Sequence, residues 1–75
     1  MAPTIDDIMR LVSLQLGIKD IGEHDHFVEA LSAESMDVLN IIVAVEEKYQ
    51  IEISESEIPD LLTPLALYTF VQSRS

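Results

Sequence analysis

The stretch covering residues 27–49, FVEALSAESMDVLNIIVAVEEKY, constrains the fold most. It opens as an apolar-anchored loop and becomes a long apolar helix. From Ser35 onward the chain has no Gly or Pro until Pro59. Val38, Ile41, Ile42, Val45 and Tyr49 recur at helical spacing, so one face of this helix should be buried. Met36, Leu39 and Val43 fall on another side, with Asn40 and Glu47 beside them. A chain of 75 residues is too short to bury a helix all round. The second stripe therefore reads as a docking surface.

Ser35 stands at the start of that helix, flanked by Glu34, Met36 and Asp37. At a helix start, backbone N–H groups are unpaired and the dipole is positive, so a phosphate ester on this serine is favoured there. No His or Lys lies close in sequence to act as its base, as nucleophilic catalysis requires. Ser35 reads as a residue that another enzyme modifies. The plainer reading is a helix cap, a duty it would share with Glu34, itself a poor cap.

Composition narrows the partners. Fourteen acidic residues stand against four basic ones, Arg10, Lys19, Lys48 and Arg74, for a net charge of −10 with His neutral. That balance argues against nucleic acid and anionic membranes and suits basic partner patches. Hydrophobic residues make up 48%, too many for a disordered acidic tail. There is no cysteine, so a disulfide framework and a thiolate metal site are excluded, and any reactive thiol must come from a cofactor. No apolar run is long enough to span a bilayer and no basic leader starts the chain, so a cytoplasmic protein is expected. Residues 1–75 are expected to form one domain, a monomer.

Before the central stretch, Thr4 with Asp7 predicts a helix start, and Gly17 a stop, for a first helix over residues 5–16. Ile5, Ile8, Met9, Val12 and Leu16 line one face of it. Residues 18–34 form a long loop, pinned by Ile18, Ile21, Phe27, Val28 and Leu31, with Asp20, Glu23, Asp25 and Glu29 facing water. The run Glu23-His24-Asp25-His26 invites a metal reading, but alternating residues in a loop define no ligand geometry, and solvated side chains are the expectation. After the second helix, Ile51-Glu52-Ile53 is too isolated for a strand. Ser54 with Glu57 predicts a short helix whose length Pro59 limits. Thr63-Pro64 marks the start of a last helix that ends near Gln72, with residues 73–75 frayed.

Phe27-Val28-Glu29, Leu31, Ala33, Ser35, Asp37, Ala44, Glu46-Glu47 and Tyr49 resemble the attachment region of acyl carrier proteins. That family usually reads LGADSLD where this chain reads LSAESMD, and the similarity extends over nearly the whole chain. The resemblance implies a carrier, not an enzyme, with 4′-phosphopantetheine on Ser35 holding acyl groups as thioesters for fatty-acid-like or polyketide-like synthesis. It implies partner contacts through Glu34, Met36, Asp37, Leu39, Asn40, Val43, Glu46 and Glu47. The partners it implies are a phosphopantetheinyl transferase, an acyl- or aminoacyl-loading ligase, and downstream transferases or synthases with basic docking patches. Ser32 stands where the family has glycine, Glu34 where it has aspartate, and Asn40 where glutamate is frequent. These departures suggest a specialised carrier with dedicated partners.

Two other functions remain open on the sequence: an aminoacyl or peptidyl carrier of nonribosomal-type pathways, and an unmodified acidic interaction module. Cargo hidden between helices would need small lining, for which Ala30, Ala44, Val45 and Ala66 are the expected positions. The expected fold is all-α, a four-helix bundle of three main helices and a short third one, with a long first loop. Val38, Ile41, Ile42, Val45 and Tyr49 should pack on Ile5, Ile8, Val12, Phe27, Leu67, Phe70 and Val71.

Overall fold

The structure is a computed structural model and describes residues 2–74. Three α-helices, α1 (Ile5–Leu16), α2 (Ser35–Tyr49) and α3 (Pro64–Arg74), are joined by a long loop and by a 3₁₀ helix, Glu55–Asp60. No strand occurs among the described residues, and the fold is the expected all-α bundle. α1 packs against both α2 and α3.

Local chemistry sets the helix ends. The Thr4 hydroxyl accepts the Asp7 N–H at 3.1 Å, the forward half of the predicted box. Gly17 closes α1 in the left-handed region, φ 66°, its N–H on Ser13 O at 2.8 Å. A Cβ on Gly17 would meet nothing within 4 Å, so the glycine is there for its dihedral freedom. The Ser54 N–H and hydroxyl both donate to the Glu57 carboxylate, at 3.3 and 2.8 Å. Pro59 does not stop that element but sits inside it, and the turn takes the tighter 3₁₀ form. Its fixed φ suits such a turn, and its missing N–H is tolerated in so short a helix. Thr63 caps α3 as predicted, accepting the Ala66 N–H at 3.1 Å.

α3 runs to Arg74, past the expected end near Gln72. Arg74 pairs with Glu57 at 3.2 Å and lies 4.5 Å from the Phe70 ring centroid, which gives the last turn partners of its own. The expectation of fraying at Ser75 lies outside the described residues.

The core gathers Ile8, Val12, Phe27, Val38, Ile41, Ile42, Val45, Leu67 and Val71, as expected, together with Leu11, Ile21, Ala33, Ile53 and Leu61. Tyr49 and Phe70 are only partly buried against it. Leu11 was not on the predicted face of α1; Met9 and Leu16, which were, are half-buried. The buried face of α1 thus includes Leu11, and both α2 and α3 pack against that helix.

The long loop is bolted to the α3 end of the chain by backbone bonds, Phe27 N–H to Leu62 O at 2.7 Å and Leu65 N–H to Glu23 O at 3.0 Å. Phe27 is fully buried, but Val28 is 45% exposed and does not pin the loop. Asp25 is half-buried rather than free in water, because its carboxylate accepts the Gly22 N–H at 2.8 Å. His26 Nδ1 accepts the N–H groups of Val28 and Glu29, at 3.2 and 3.1 Å, and so caps the next turn. Among the described residues, no group of three His, Cys, Asp or Glu side chains is placed to hold a metal ion.

Candidate functional site: an exposed serine beside an apolar cleft

Ser35 is the first residue of α2, and Glu34, in extended conformation, is the N-cap. The capping duty suggested for Ser35 therefore falls to its neighbours. Asp37 reaches back to accept the Glu34 N–H at 3.0 Å. The ladder opens with the Val38 N–H on Glu34 O at 3.0 Å. Ser35 is exposed, and among the described residues nothing hydrogen-bonds its hydroxyl. The hydroxyl is thus accessible and unactivated, at the positive end of a helix of 15 residues.

Beside Ser35 opens a cleft of about 620 Å³. It is lined by Val28 and Ala33 of the loop, Val38 and Leu39 of α2, and Ile58, Pro59 and Leu62 from the segment between α2 and α3. Apart from Glu34 and Ser35 at the rim, every lining side chain is apolar. Ala30, Ala44, Val45 and Ala66, the positions expected to make room for cargo, do not line it. Ala30 is exposed, Val45 is fully buried, and Ala44 faces a different cleft. The sequence signal that was available is indirect: an apolar residue, Val28, left on an irregular loop, and Ile58 and Leu62 flanking a proline.

The predicted contact residues divide in two. Met36, Leu39 and Val43 are 66%, 45% and 47% exposed, an apolar stripe on the outside of α2. Glu34, Asn40 and Glu47 are exposed with them. Asp37 and Glu46 are half-buried, and each accepts a backbone N–H. Glu46 accepts the Ile53 N–H at 2.9 Å and so ties the segment after α2 back to that helix. Both carboxylates hold backbone, which a count of acidic residues on α2 does not reveal.

Residues 6–71 match the family model described as "Phosphopantetheine attachment site". The chain belongs to the phosphopantetheine-binding carrier family. It is similar to the acyl carrier protein of Chlamydia caviae, with 34% identity across 92% of each chain. The acyl carrier protein of Wolinella succinogenes is 40% identical over 77% of this chain and 79% of its own. That of Sulfurovum sp. is 33% identical over 91% and 93%. Membership makes this chain a carrier in fatty-acid-type biosynthesis rather than an enzyme, and its cofactor 4′-phosphopantetheine, bound covalently. The free, exposed hydroxyl at a helix N-terminus fits that group. Carriers of this family meet a phosphopantetheinyl transferase and biosynthetic enzymes. No described helix is long and apolar enough to cross a membrane.

Proposed function

We propose that Ser35 is the attachment residue and that this protein presents acyl groups to partner enzymes through the outer face of α2. The observation that carries the reading is the Ser35 hydroxyl, exposed and unbonded, at the head of α2 and on the rim of the apolar cleft. Ser35 would supply the oxygen that bonds to phosphorus, while the pyrophosphate P–O bond of coenzyme A breaks and its nucleotide half, adenosine 3′,5′-bisphosphate, leaves. The base that takes its proton belongs to the transferase, since among the described residues none hydrogen-bonds that oxygen. The α2 backbone N–H groups and helix dipole favour the phosphodiester that results. When bound, the arm supplies the thiol that this cysteine-free chain lacks.

The cleft supports an apolar acyl cargo over an aminoacyl one. Glu34 is the one charged group lining the cleft, and an ammonium carried among Val28, Val38, Leu39, Ile58 and Leu62 would bear a desolvation cost that an acyl chain does not. Glu34, Asn40, Glu47 and the Met36, Leu39, Val43 stripe form the docking face, while Asp37 and Glu46 shape it from within. Acyl-loading ligases, transferases and synthases with basic patches fit this face. A cytoplasmic setting goes with the reading, as the arm's donor is coenzyme A.

The test is intact mass after incubation with coenzyme A and a broad-specificity phosphopantetheinyl transferase. The wild type should gain one arm, and Ser35→Ala none. An unmodified wild type, or a Ser35→Ala protein that still gains the arm, would falsify the assignment.

A further inference from the structure

Four consecutive amides of the long loop end on one residue. The N–H groups of Val28 and Glu29 donate to His26 Nδ1, at 3.2 and 3.1 Å. Those of Ala30 and Leu31 donate to His26 O, at 2.9 and 3.1 Å. His26 thus does for this turn what an N-cap does for a helix, with an imidazole nitrogen in place of the usual side-chain oxygen. The turn carries the loop's share of the cleft. Phe27 donates its N–H to Leu62 O at 2.7 Å, and its carbonyl accepts the Ala33 N–H at 2.8 Å. Val28, Ala33 and Leu62 all line the cleft beside Ser35.

A ring nitrogen that accepts two N–H groups is bare, so the imidazole is the neutral tautomer with its proton on Nε2. Protonation would make Nδ1 a third donor aimed at two others, and both bonds would be lost. Imidazole is the side chain that makes this change between about pH 8 and 5. Nothing around the ring holds it in place once it is charged. Its side chain is 32% exposed, and its Nε2 lies 3.7 Å from the Glu29 carboxylate, itself 79% exposed. Among the described residues no other carboxylate comes within 4 Å of the ring nitrogens. Glu23 and Asp25, on the same loop, are engaged by His24 and by the Gly22 N–H. Residues 61–66, the stretch bonded to the loop from across, have no ionisable side chain. Of the cations, Arg10 and Lys48 line a separate cleft between α1 and α2, Arg74 pairs with Glu57, and Lys19 is exposed. A charged ring can therefore turn to Glu29 and water and leave the turn uncapped.

We propose that His26 is a positioning residue for the acyl cleft and makes that cleft sensitive to pH. With the ring neutral, the turn is closed and Val28 is held in the cleft lining. With the ring protonated, the turn opens from its first amides and that side of the cleft loosens around its cargo. This deepens the proposed function and, as to the cargo, rests on it. The effect is local and runs against the general trend, because a chain of net charge −10 loses self-repulsion as the pH falls.

The test is NMR on the unmodified, isotope-labelled protein from about pH 8 to about pH 5.5, above the carboxylate range. In the wild type, the Val28 methyls should shift with the midpoint of the His26 ring. Protection of the Val28 and Glu29 amides, corrected for the pH dependence of free-amide exchange, should fall about tenfold over the same range. His26→Asn keeps a neutral acceptor that does not titrate there, so its protection should hold throughout. His26→Ala should lack the protection at every pH, and His24→Gln should behave as the wild type. The inference is overturned by wild-type amides equally protected at both ends of the range, by Val28 methyls that stay still, or by a His26→Asn protein that responds as the wild type does. A His26→Ala protein as protected as the wild type overturns it too. Loaded with an octanoyl arm, the wild type should show chain contacts to Val28 that weaken in acid, and His26→Asn contacts that do not; wild-type contacts indifferent to pH break the link to cargo. The amide readings need no arm, so failure to load Ser35 counts against the attachment reading alone.

Discussion

The Asp37 carboxylate accepts the Glu34 backbone N–H at 3.0 Å, so the residue two places after Ser35 fixes the residue just before it. An acidic side chain that looks like a partner contact is, in place, the return half of a helix cap. Asp37→Ala should cost about 1 kcal/mol of stability, the usual worth of such a cap. Asp37→Asn keeps an acceptor and should recover part of that loss. Urea unfolding followed by circular dichroism measures both. Equal stability of Asp37→Ala and wild type would show that the bond contributes nothing.

Ser32 has φ 58°, in the left-handed region, at the position where the carrier family usually has glycine. The family preference thus has a backbone reason, and this chain bears a strained serine there. Ser32→Gly should raise stability by about 0.5–1 kcal/mol, with the added freedom of glycine in the unfolded chain offsetting part of the gain. The denaturation midpoint is the readout, and a midpoint that falls would contradict the strain argument.

Local chemistry was legible in the sequence, and long-range placement was not. Thr63-Pro64, Ser54 with Glu57, and Gly17 act within four residues of themselves, and each does what its type predicts. The buried face of α2 was legible for the same reason, since 3.6-residue spacing is a property of the segment alone. The cleft beside Ser35 was not, because it needs Val28 and Ala33 brought against Ile58 and Leu62 by bonds such as Phe27 N–H to Leu62 O. Asp37 and Glu46 were read as partner contacts because their backbone acceptor roles appear only once the chain has turned. Leu11 was missed because several apolar residues of α1 fit a helical stripe, and only the neighbouring helices choose among them.

Glu57 should make stability sensitive to acid. Hydrogen bonds from the Ser54 hydroxyl and N–H hold its carboxyl below the ordinary carboxylate value, with Arg74 a smaller contributor. A folded-state value lowered in this way stabilises above the unfolded value and is lost as pH falls through the folded one. The stability difference between wild type and Ser54→Ala should therefore be largest near pH 7 and shrink below the ordinary carboxylate range. Paired urea titrations at neutral and acidic pH measure it, and a difference constant with pH would assign the effect of Ser54 to capping alone.

Tyr49 carries the opposite signature. Its hydroxyl is buried and, among the described residues, finds no hydrogen-bond partner. Burial first, and the charge of Asp7 second, push its phenol above the ordinary value. A raised folded-state value stabilises below the unfolded value, and that contribution disappears as pH rises through the folded one, so the wild type should weaken on the alkaline side. Tyr49→Phe removes both the unpaired hydroxyl and its titration. At neutral pH it should leave stability unchanged or raise it by up to about 1 kcal/mol, because a buried hydroxyl without a partner costs more than its absence. Above pH 10 the variant should exceed the wild type by a growing margin. Thermal melts across that range measure the gap. A Tyr49→Phe protein that loses stability at pH 7 would mean that the hydroxyl makes a bond in solution and that its isolation between α1 and α2 is not the resting state.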